Sequence, residues 1–491
     1  MRSGLLRHSL NYGAASVLVT IAGLVTFPIV TRSLSVAEYG QLTLVGTLLT
    51  LWVGLSKLGV QHASLRTYAE MAAGRLGVDA LTWRSTVLFG MLASGAVAAG
   101  LAAAVITALP EDWLADLPHG LLLALVAGLV VVRTVESALT NPLRAQERSG
   151  VVAIFTVARR YLALVLTVGV LLGVSASVAG FFGATLAAEG LAILALAAWM
   201  HRRMPFSPRA VSPALLRTMV AFGLPLVGYE AANVLLVLGD RYLIQHRLGS
   251  EPLGLYGAVW NLCDYLRVAV LLSLIQTIVP AYTRCWEESG AAATEALLAR
   301  FTGLYAMLAF PLVAGTAAVA PIGLPLLASE RYAAGAGIAG WLLAGMAIES
   351  WIVVASAGVM LRKRTRTLMI AVAIAGVANL CLVAALLPSL GILGAAIASV
   401  VSMSALAVVV MRLGASTLRV SLPWRALAVH AAGAALMYAV IVRLDAGAPV
   451  ATLLLQVGVG TLVYGAFEFA FDLRARELAL AGLARAGLSP R

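Results

Sequence analysis

Residues 180–203 read GFFGATLAAEGLAILALAAWMHRR, a long apolar run that ends in three basic residues. The same order, an apolar run followed by arginine, recurs along the chain. About 20 apolar residues are enough to cross the hydrocarbon core of a bilayer as an α-helix. The segment is therefore one of about fourteen predicted transmembrane helices, and the fold class expected is an all-α membrane protein.

The composition requires lipid as the solvent for most of the chain. Of the 491 residues, 61% are hydrophobic and 11% are charged, against about 25% charged in soluble domains. The net charge of +12 comes from arginines at the ends of apolar runs, so topology explains it and a nucleic-acid partner is not expected. The three cysteines follow no regular spacing and predict no disulfide framework.

Hydropathy divides almost the whole chain into spans. The predicted spans are 9–31, 41–63, 85–109, 119–141, 151–172, 178–200, 218–245, 253–282, 301–323, 337–361, 367–388, 391–411, 425–444 and 450–471.

The basic residues predict the orientation of these spans. Of the 34 Lys and Arg residues, 26 fall in alternate loops on one side, Arg159 and Arg160 among them, and 5 fall on the other side. Lys and Arg accumulate in cytoplasmic loops, so both termini are predicted to be cytoplasmic. The remaining three, Lys57, Arg133 and Arg267, lie inside spans, where charged groups are costly and usually functional.

An internal repeat divides the spans into two related halves. Gly180–Ala184 and Gly391–Ala395 share a Gly-x-x-Gly-Ala pattern at an offset of 211 residues, and each opens a helix rich in small residues. The domains predicted from this repeat are 1–210 (spans 1–6), 211–415 (spans 7–12) and 416–491 (spans 13–14 and a cytoplasmic tail). Parallel repeats are typical of transporters, although Gly- and Ala-rich helices can also match by composition alone.

Three segments resemble the oligosaccharide flippases, in the polysaccharide transporter branch of the multidrug/oligosaccharidyl-lipid/polysaccharide (MOP) exporter superfamily. They are Thr31–Gly40 with its Thr-Arg-x-Leu and Glu-Tyr-Gly elements, Asp240–Gly257, and Leu387–Ala396. The resemblance implies two six-helix lobes around a central cavity, alternating access, and a location in the bacterial inner membrane. It also implies an undecaprenyl-diphosphate-linked oligosaccharide as substrate, used in cell-surface polysaccharide assembly alongside a polymerase or glycosyltransferases.

Span two carries a polar stripe at alternating spacings of three and four residues. Its members are Thr43, Thr47, Thr50, Gly54, Lys57 and Gln61. In a continuous helix these residues share one face. Such a face suits sugars and phosphate at the wall of a cavity. The alternative is hydrogen bonding between helices by threonine.

Span seven places Glu230, Asn233, Asp240 and Arg241 on one face. We expect Asn233 to contact substrate and Glu230 to bind a coupling proton or Na⁺, because an ionisable group deep in an apolar helix marks a functional site by default. Asp240 and Arg241 are expected to form a structural pair at the outer interface.

Two further pairs lie three residues apart inside spans, and two carboxylates stand alone. Asp264 with Arg267, and Arg133 with Glu136, can each pair on one helix; alternatively, phosphate competes for the arginines. Glu189 and Glu349 are predicted to be isolated. Asp264 and Glu349 join Glu230 as candidates for ion coupling.

The sequence thus predicts a lipid-linked oligosaccharide flippase in which a net-positive cavity binds diphosphate through Lys57, Arg133 and Arg267, with membrane lipid around it. No catalytic residue, metal ligand or cofactor is expected, and the coupling ion is left open between H⁺ and Na⁺. One alternative is a cation-coupled antiporter of the same fold, which requires an acidic cavity. A membrane-embedded polysaccharide polymerase is a further alternative, although the loops are too short for a catalytic domain.

Overall fold

The computed structural model describes residues 2–108 and 119–472, with side chains for 13–108 and 120–472. This part of the chain is helical and contains no strand, which confirms the predicted all-α class. The predicted cytoplasmic tail lies outside the described residues from 473 onward. The helices are α1 (Arg2–Ser33), α2 (Val36–Ser56), α3 (Val60–Ala72), α4 (Ala80–Thr107), α5 (His119–Ala145), α6 (Ser149–Gly173), α7 (Val178–Arg203), α8 (Pro213–Leu238), α9 (Asp240–Leu248), α10 (Ser250–Arg267), α11 (Ser273–Leu327), α12 (Ala339–Ala355), α13 (Ala357–Leu361), α14 (Thr365–Leu390), α15 (Ile392–Gly414), α16 (Trp424–Ile441) and α17 (Pro449–Phe471).

The number of spans agrees with the prediction of about fourteen. Thirteen helical segments of the described chain are long and apolar enough to cross a membrane. One of them, Ser250–Leu327, has 78 residues, which as a single helix is about three times longer than the ~30 Å hydrocarbon core requires. Gly290 interrupts this segment with φ 78° and ψ −170°, so the segment supplies two spans.

The predicted second span is not a single helix. Ser35 begins α2 with a capping box, in which Glu38 bonds back to the Ser35 amide, and α2 ends at Ser56. Leu58 and Gly59 then adopt φ values of 45° and 68°. This left-handed conformation costs glycine little but is uncommon for leucine. The chain therefore changes direction before α3 begins.

The chain forms two compact units. Unit 1 falls within Met1–Gly257 and Val372–Leu380. In it, α4 packs on α5, α6 packs on α1 and α7, and α2 and α3 pack on α8. A Cβ added to Gly223 of α8 would lie 2.4 Å from the carbonyl carbon of Gly59, so the two backbones touch where α3 begins.

Unit 2 falls within Ala258–Ala371 and Cys381–Arg491. Here α11 packs on α12, α16 and α17, while α12 packs on α15. The Tyr464 hydroxyl of α17 donates to the Met307 carbonyl of α11 over 2.8 Å. These packing units do not test the division at 210 and 415, which concerns repeated halves of the sequence and stays a prediction.

Candidate functional site

The break between α2 and α3 directs polar side chains towards Glu230 of α8. Gln61 Nε2 donates to Glu230 Oε1 over 2.6 Å, and His62 Nε2 lies 2.8 Å from the same oxygen. The His62 side chain is 43% exposed and the Glu230 side chain 29% exposed. Glu230, predicted as an ion-coupling residue, therefore lies within a polar cluster that water can reach.

Lys57 occupies the break itself. Its ammonium forms no ion pair or hydrogen bond with the described residues, although Glu230 and Glu136 are near enough for their charges to act on it. Lys57 and Gln61 lie on either side of the positive-φ residues, so the predicted stripe is wrong in assuming one continuous helix. The two side chains are nevertheless close in space to the same carboxylate.

The threonines of the predicted stripe separate into two environments. Thr43 and Thr47 are buried, and Arg241 Nη1 donates to Thr47 Oγ1 over 2.9 Å. Thr50 is exposed and donates to the Gly46 carbonyl of its own helix. In unit 1, Thr50 is therefore the more accessible of the predicted substrate ligands on α2, and Thr47 takes part in helix packing.

Asp240 and Arg241 are buried in unit 1, and their predicted position at the outer membrane interface stays a prediction. Asp240 accepts a hydrogen bond from the Tyr256 hydroxyl, and Arg241 extends to α2. Each of the two side chains thus bonds to a helix other than α9. Asn233, about two turns before them on α8, is half-buried and makes no hydrogen bond within the described chain.

An ionic network joins α5, α6 and α7 of unit 1. Arg133 Nε donates to Glu189 Oε2 over 2.9 Å, and Arg159 Nη1 donates to Glu189 Oε1 over 2.9 Å. Arg159 Nε also lies 3.4 Å from Glu136 Oε1. Two arginines and two glutamates are thereby neutralised together. A closed network of this kind holds three helices in register.

This network overturns three expectations. Glu189 is not isolated, because it contacts two arginines. Arg133 reaches across to α7 instead of pairing with Glu136 three residues along its own helix. Arg159 and Arg160 lie inside α6 and not in a cytoplasmic loop, since α6 already begins at Ser149. Arg160 forms no ion pair with the described residues.

Unit 2 contains a second ionic group, in the middle of membrane-length helices. Arg267 Nη2 lies 2.6 Å from Asp264 Oδ1 on α10, and Arg267 Nη1 lies 3.5 Å from Glu349 Oε2 on α12. The i,i+3 pairing of Asp264 with Arg267 is confirmed. The isolation of Glu349 is wrong. With all three ionised, the group carries a formal charge of −1, so Arg267 supplies no surplus positive charge, contrary to the predicted net-positive wall.

Two residues of these clusters, His62 and Arg159, were not predicted as site residues. His62 follows Gln61 directly, but a continuous helix would have turned it away from the stripe. Arg159 was counted with the cytoplasmic arginines. The signal available for Arg159 was its position inside the predicted span 151–172, next to a span that carries the carboxylate Glu189 without a predicted partner.

The family model described as polysaccharide biosynthesis protein matches residues 5–286, which is more than half of the chain. The chain is similar in fold to the lipid II flippase MurJ in an inward closed conformation, with a TM-score of 0.74 at 13% identity, covering 95% of this chain and 99% of that one. It is also similar to an inward-facing multidrug resistance MATE family transporter of the MOP superfamily, with a TM-score of 0.63 at 16% identity and coverages of 82% and 94%.

A MOP superfamily transporter from Pyrococcus furiosus has a TM-score of 0.57 at 16% identity, with coverages of 84% and 95%. No curated protein sequence matches the chain. The structural similarity to these solved structures shows the fold, and the match to the family model shows the family. The chain belongs to the polysaccharide biosynthesis protein family, and its fold is similar to that of MOP superfamily transporters.

Proposed function

We propose that this protein is a flippase that moves a prenyl-diphosphate-linked oligosaccharide from the inner to the outer leaflet of the bacterial cytoplasmic membrane. The family supports a role in polysaccharide biosynthesis, and the excess of arginines in alternate loops supports cytoplasmic termini. Transport proceeds by alternating access and needs no catalytic residue. The protein lowers the barrier for polar groups, each of which costs several kcal/mol when it is unsatisfied in hydrocarbon.

The observation that carries the proposal is the environment of Lys57. An ammonium inside a membrane-length segment needs a partner, and Lys57 has none within 4 Å in the described chain. Diphosphate oxygens are suitable partners, because hydrogen bonds between charged groups are stronger than neutral ones. Gln61, Thr50 and Asn233 then replace water around the sugars.

The arginines have a less direct role in this proposal. Arg133 and Arg267 are each bonded to carboxylates, so they bind phosphate only when those carboxylates are displaced or protonated. In the transport cycle, Arg133 or Arg267 would exchange its carboxylate partner for the phosphate of the substrate. Thr47 supports the site by holding Arg241.

Unit 2 offers space for a prenyl tail. Two cavities of about 360 and 710 Å³ share Phe310, Val313 and Ala344 in their lining. In the smaller cavity the polar side chains are already bonded: Tyr305 donates to the Ala347 carbonyl, and Trp351 donates to Thr302. A cavity wall whose polar groups are already hydrogen-bonded suits a hydrocarbon chain, and the polar headgroup is bound elsewhere in the protein.

Ion coupling is assigned to the carboxylates Glu230, Asp264 and Glu349. The unit 2 group has two carboxylates and one arginine, so one H⁺ or Na⁺ brings its formal charge to zero. Burial of a neutral group in the membrane is far less costly than burial of a charged one. Cation binding therefore favours whichever conformation encloses these side chains.

The same surplus of negative charge favours a second candidate, a cation-coupled antiporter for small organic cations. The similarity in fold to multidrug transporters is compatible with it. Membrane-embedded polymerisation has no comparable support among the residues described.

The two candidates separate in one reconstitution experiment. Proteoliposomes loaded with labelled prenyl-diphosphate sugar are tested for exposure of the label to an impermeant enzyme, with and without a proton or Na⁺ gradient. Parallel vesicles are tested for uptake of an organic cation. The flippase predicts protein-dependent exposure of the sugar and no cation uptake. Cation uptake without sugar exposure would replace the proposal by the antiporter.

A further inference from the structure

The ends of α16 and α17 in unit 2 enclose a group of three metal-ligating side chains that shares no residue with the clusters described above. His430 Nδ1 lies 2.9 Å from Glu468 Oε2, and His430 Nε2 lies 3.7 Å from Asp472 Oδ2. His430 is 1% exposed and Glu468 4% exposed. One potential ligand atom from each residue lies within 4.8 Å of the other two.

The helical geometry explains why these residues meet. Glu468 and Asp472 are four residues apart, so they lie on one face at the end of α17. His430 lies in the second turn of α16, which packs along α17. The small residue Gly433 permits this packing, since a Cβ there would lie 2.7 Å from the Phe467 ring. The three side chains are therefore fixed by the packing of two helices and not by a mobile loop.

The formal charge of the group points to a cation. Two carboxylates with a protonated histidine carry −1, and with a neutral histidine they carry −2. Arg300 and Arg425 are nearby but form no ion pair within the described chain. A divalent cation with a neutral histidine brings the formal charge of these three side chains to zero and lowers the electrostatic cost of burying Glu468, while Asp472 keeps a further interaction of its own.

Access to the group is open on one side. A cavity of about 590 Å³ is lined by His430 and Asp472, together with Trp424 and the two arginines Arg300 and Arg425. An ion can reach the ligands from this cavity, and a water molecule in it can complete the coordination shell.

We propose that His430, Glu468 and Asp472 bind one divalent transition-metal ion of the Zn²⁺ class. One imidazole nitrogen and two carboxylates are a ligand set that Zn²⁺ accepts, at ~2.0–2.2 Å from each ligand atom. Tetrahedral ligands at such distances lie roughly 3.3 Å apart. The two carboxylates here face opposite ring nitrogens of His430, so binding to one nitrogen requires the carboxylate on the far side to turn towards the ion. The imidazole disfavours Mg²⁺, which prefers oxygen ligands in octahedral geometry. The bound ion joins the ends of α16 and α17.

The test uses the full-length chain purified in detergent, stripped with chelator and titrated with Zn²⁺ or Mg²⁺. We expect one Zn²⁺ per chain by elemental analysis after desalting, with a rise in the melting temperature that Mg²⁺ does not reproduce. Glu468→Gln keeps the side-chain size and an acceptor for His430, and it is expected to weaken Zn²⁺ binding at least tenfold. His430→Gln is expected to do the same.

The matched control is His201→Gln, which alters an exposed histidine on α7 and leaves the stoichiometry and the melting shift unchanged. Wild-type protein that retains no Zn²⁺ overturns the proposal without reference to any variant. Binding in Glu468→Gln equal to that of the wild type also overturns it. These measurements do not depend on transport, so a failed flippase assay leaves them unaffected.

Discussion

Arg267 is the single positive charge in the group that it forms with Asp264 and Glu349. The three side chains are only 17%, 25% and 22% exposed, so water screens them weakly. Removing one partner of a buried ion pair costs about 3–5 kcal/mol, because the other charge is left uncompensated. Protonation of one carboxylate relieves part of this cost in Arg267→Ala, so we expect a loss near 3 kcal/mol.

Thermal unfolding in detergent, followed by tryptophan fluorescence, measures this loss. At about 2.1 cal/mol/K of unfolding entropy per residue, a chain of 491 residues shifts by roughly 1 °C per kcal/mol, so Arg267→Ala should melt about 3 °C below the wild type. The double variant Arg267→Ala/Asp264→Asn should recover part of the loss, because it returns the formal charge of the group from −2 to the wild-type value of −1. Arg366→Ala, at an exposed position on α14, is the control and should melt as the wild type does. A double variant less stable than Arg267→Ala would refute the reasoning.

Three further predictions concern unit 1. Gly223→Ala should lower the melting temperature by several degrees, because the added Cβ would lie 2.4 Å from the backbone of Gly59. Gly46→Ala is the control: a Cβ there has no atom within 4 Å, so this variant should be neutral or slightly stabilising. Equal melting of the two variants would refute the close contact. Arg159→Ala should destabilise the protein by about 3 kcal/mol, because it removes the partner of two glutamates. Arg160, which forms no ion pair with the described residues, is the control, and Arg160→Ala should destabilise it by less than about 1 kcal/mol. Denaturation in detergent compares the two variants, and the reverse order would refute the network. Glu230→Gln should remove the dependence of transport on the coupling gradient while the protein still inserts in the membrane, and an unchanged gradient dependence would exclude Glu230 from coupling.

The fold was predictable from the sequence because its main determinant is local. Apolar length and the distribution of arginine gave the spans, and Gly391 was correctly expected to precede a helix that begins at Ile392. The break after Ser56 was not predicted, because the predicted span 41–63 contains no proline and only one charged residue, Lys57. Only the positive φ of Leu58 and Gly59 shows where the helix stops.

The candidate site was predictable in its residue types but not in its pairings. Inside a membrane every charge needs a partner, so the unusual carboxylates and arginines could be identified one by one. Their partners lie on other helices, however, as Arg133 with Glu189 and Arg267 with Glu349 show. Sequence spacing reports only neighbours on the same helix, which is why Asp264 was paired correctly with Arg267 and the contacts between helices were missed.

The chain offers an unusually clean test of the proposed diphosphate site, because Lys57 and Lys363 are its only two lysines. Lys363 is exposed in the turn before α14 and provides the matched control. A hydrogen bond to a charged group contributes about 1.5–3 kcal/mol, which corresponds to roughly 10- to 100-fold in rate if the bond forms in the rate-limiting step.

The decisive measurement is therefore the rate at which labelled prenyl-diphosphate sugar becomes exposed in proteoliposomes that contain equal amounts of each variant. The account predicts at least a tenfold lower rate for Lys57→Gln, partial recovery in Lys57→Arg, and a wild-type rate for Lys363→Gln. A wild-type rate in Lys57→Gln would contradict the assignment of Lys57 to the substrate.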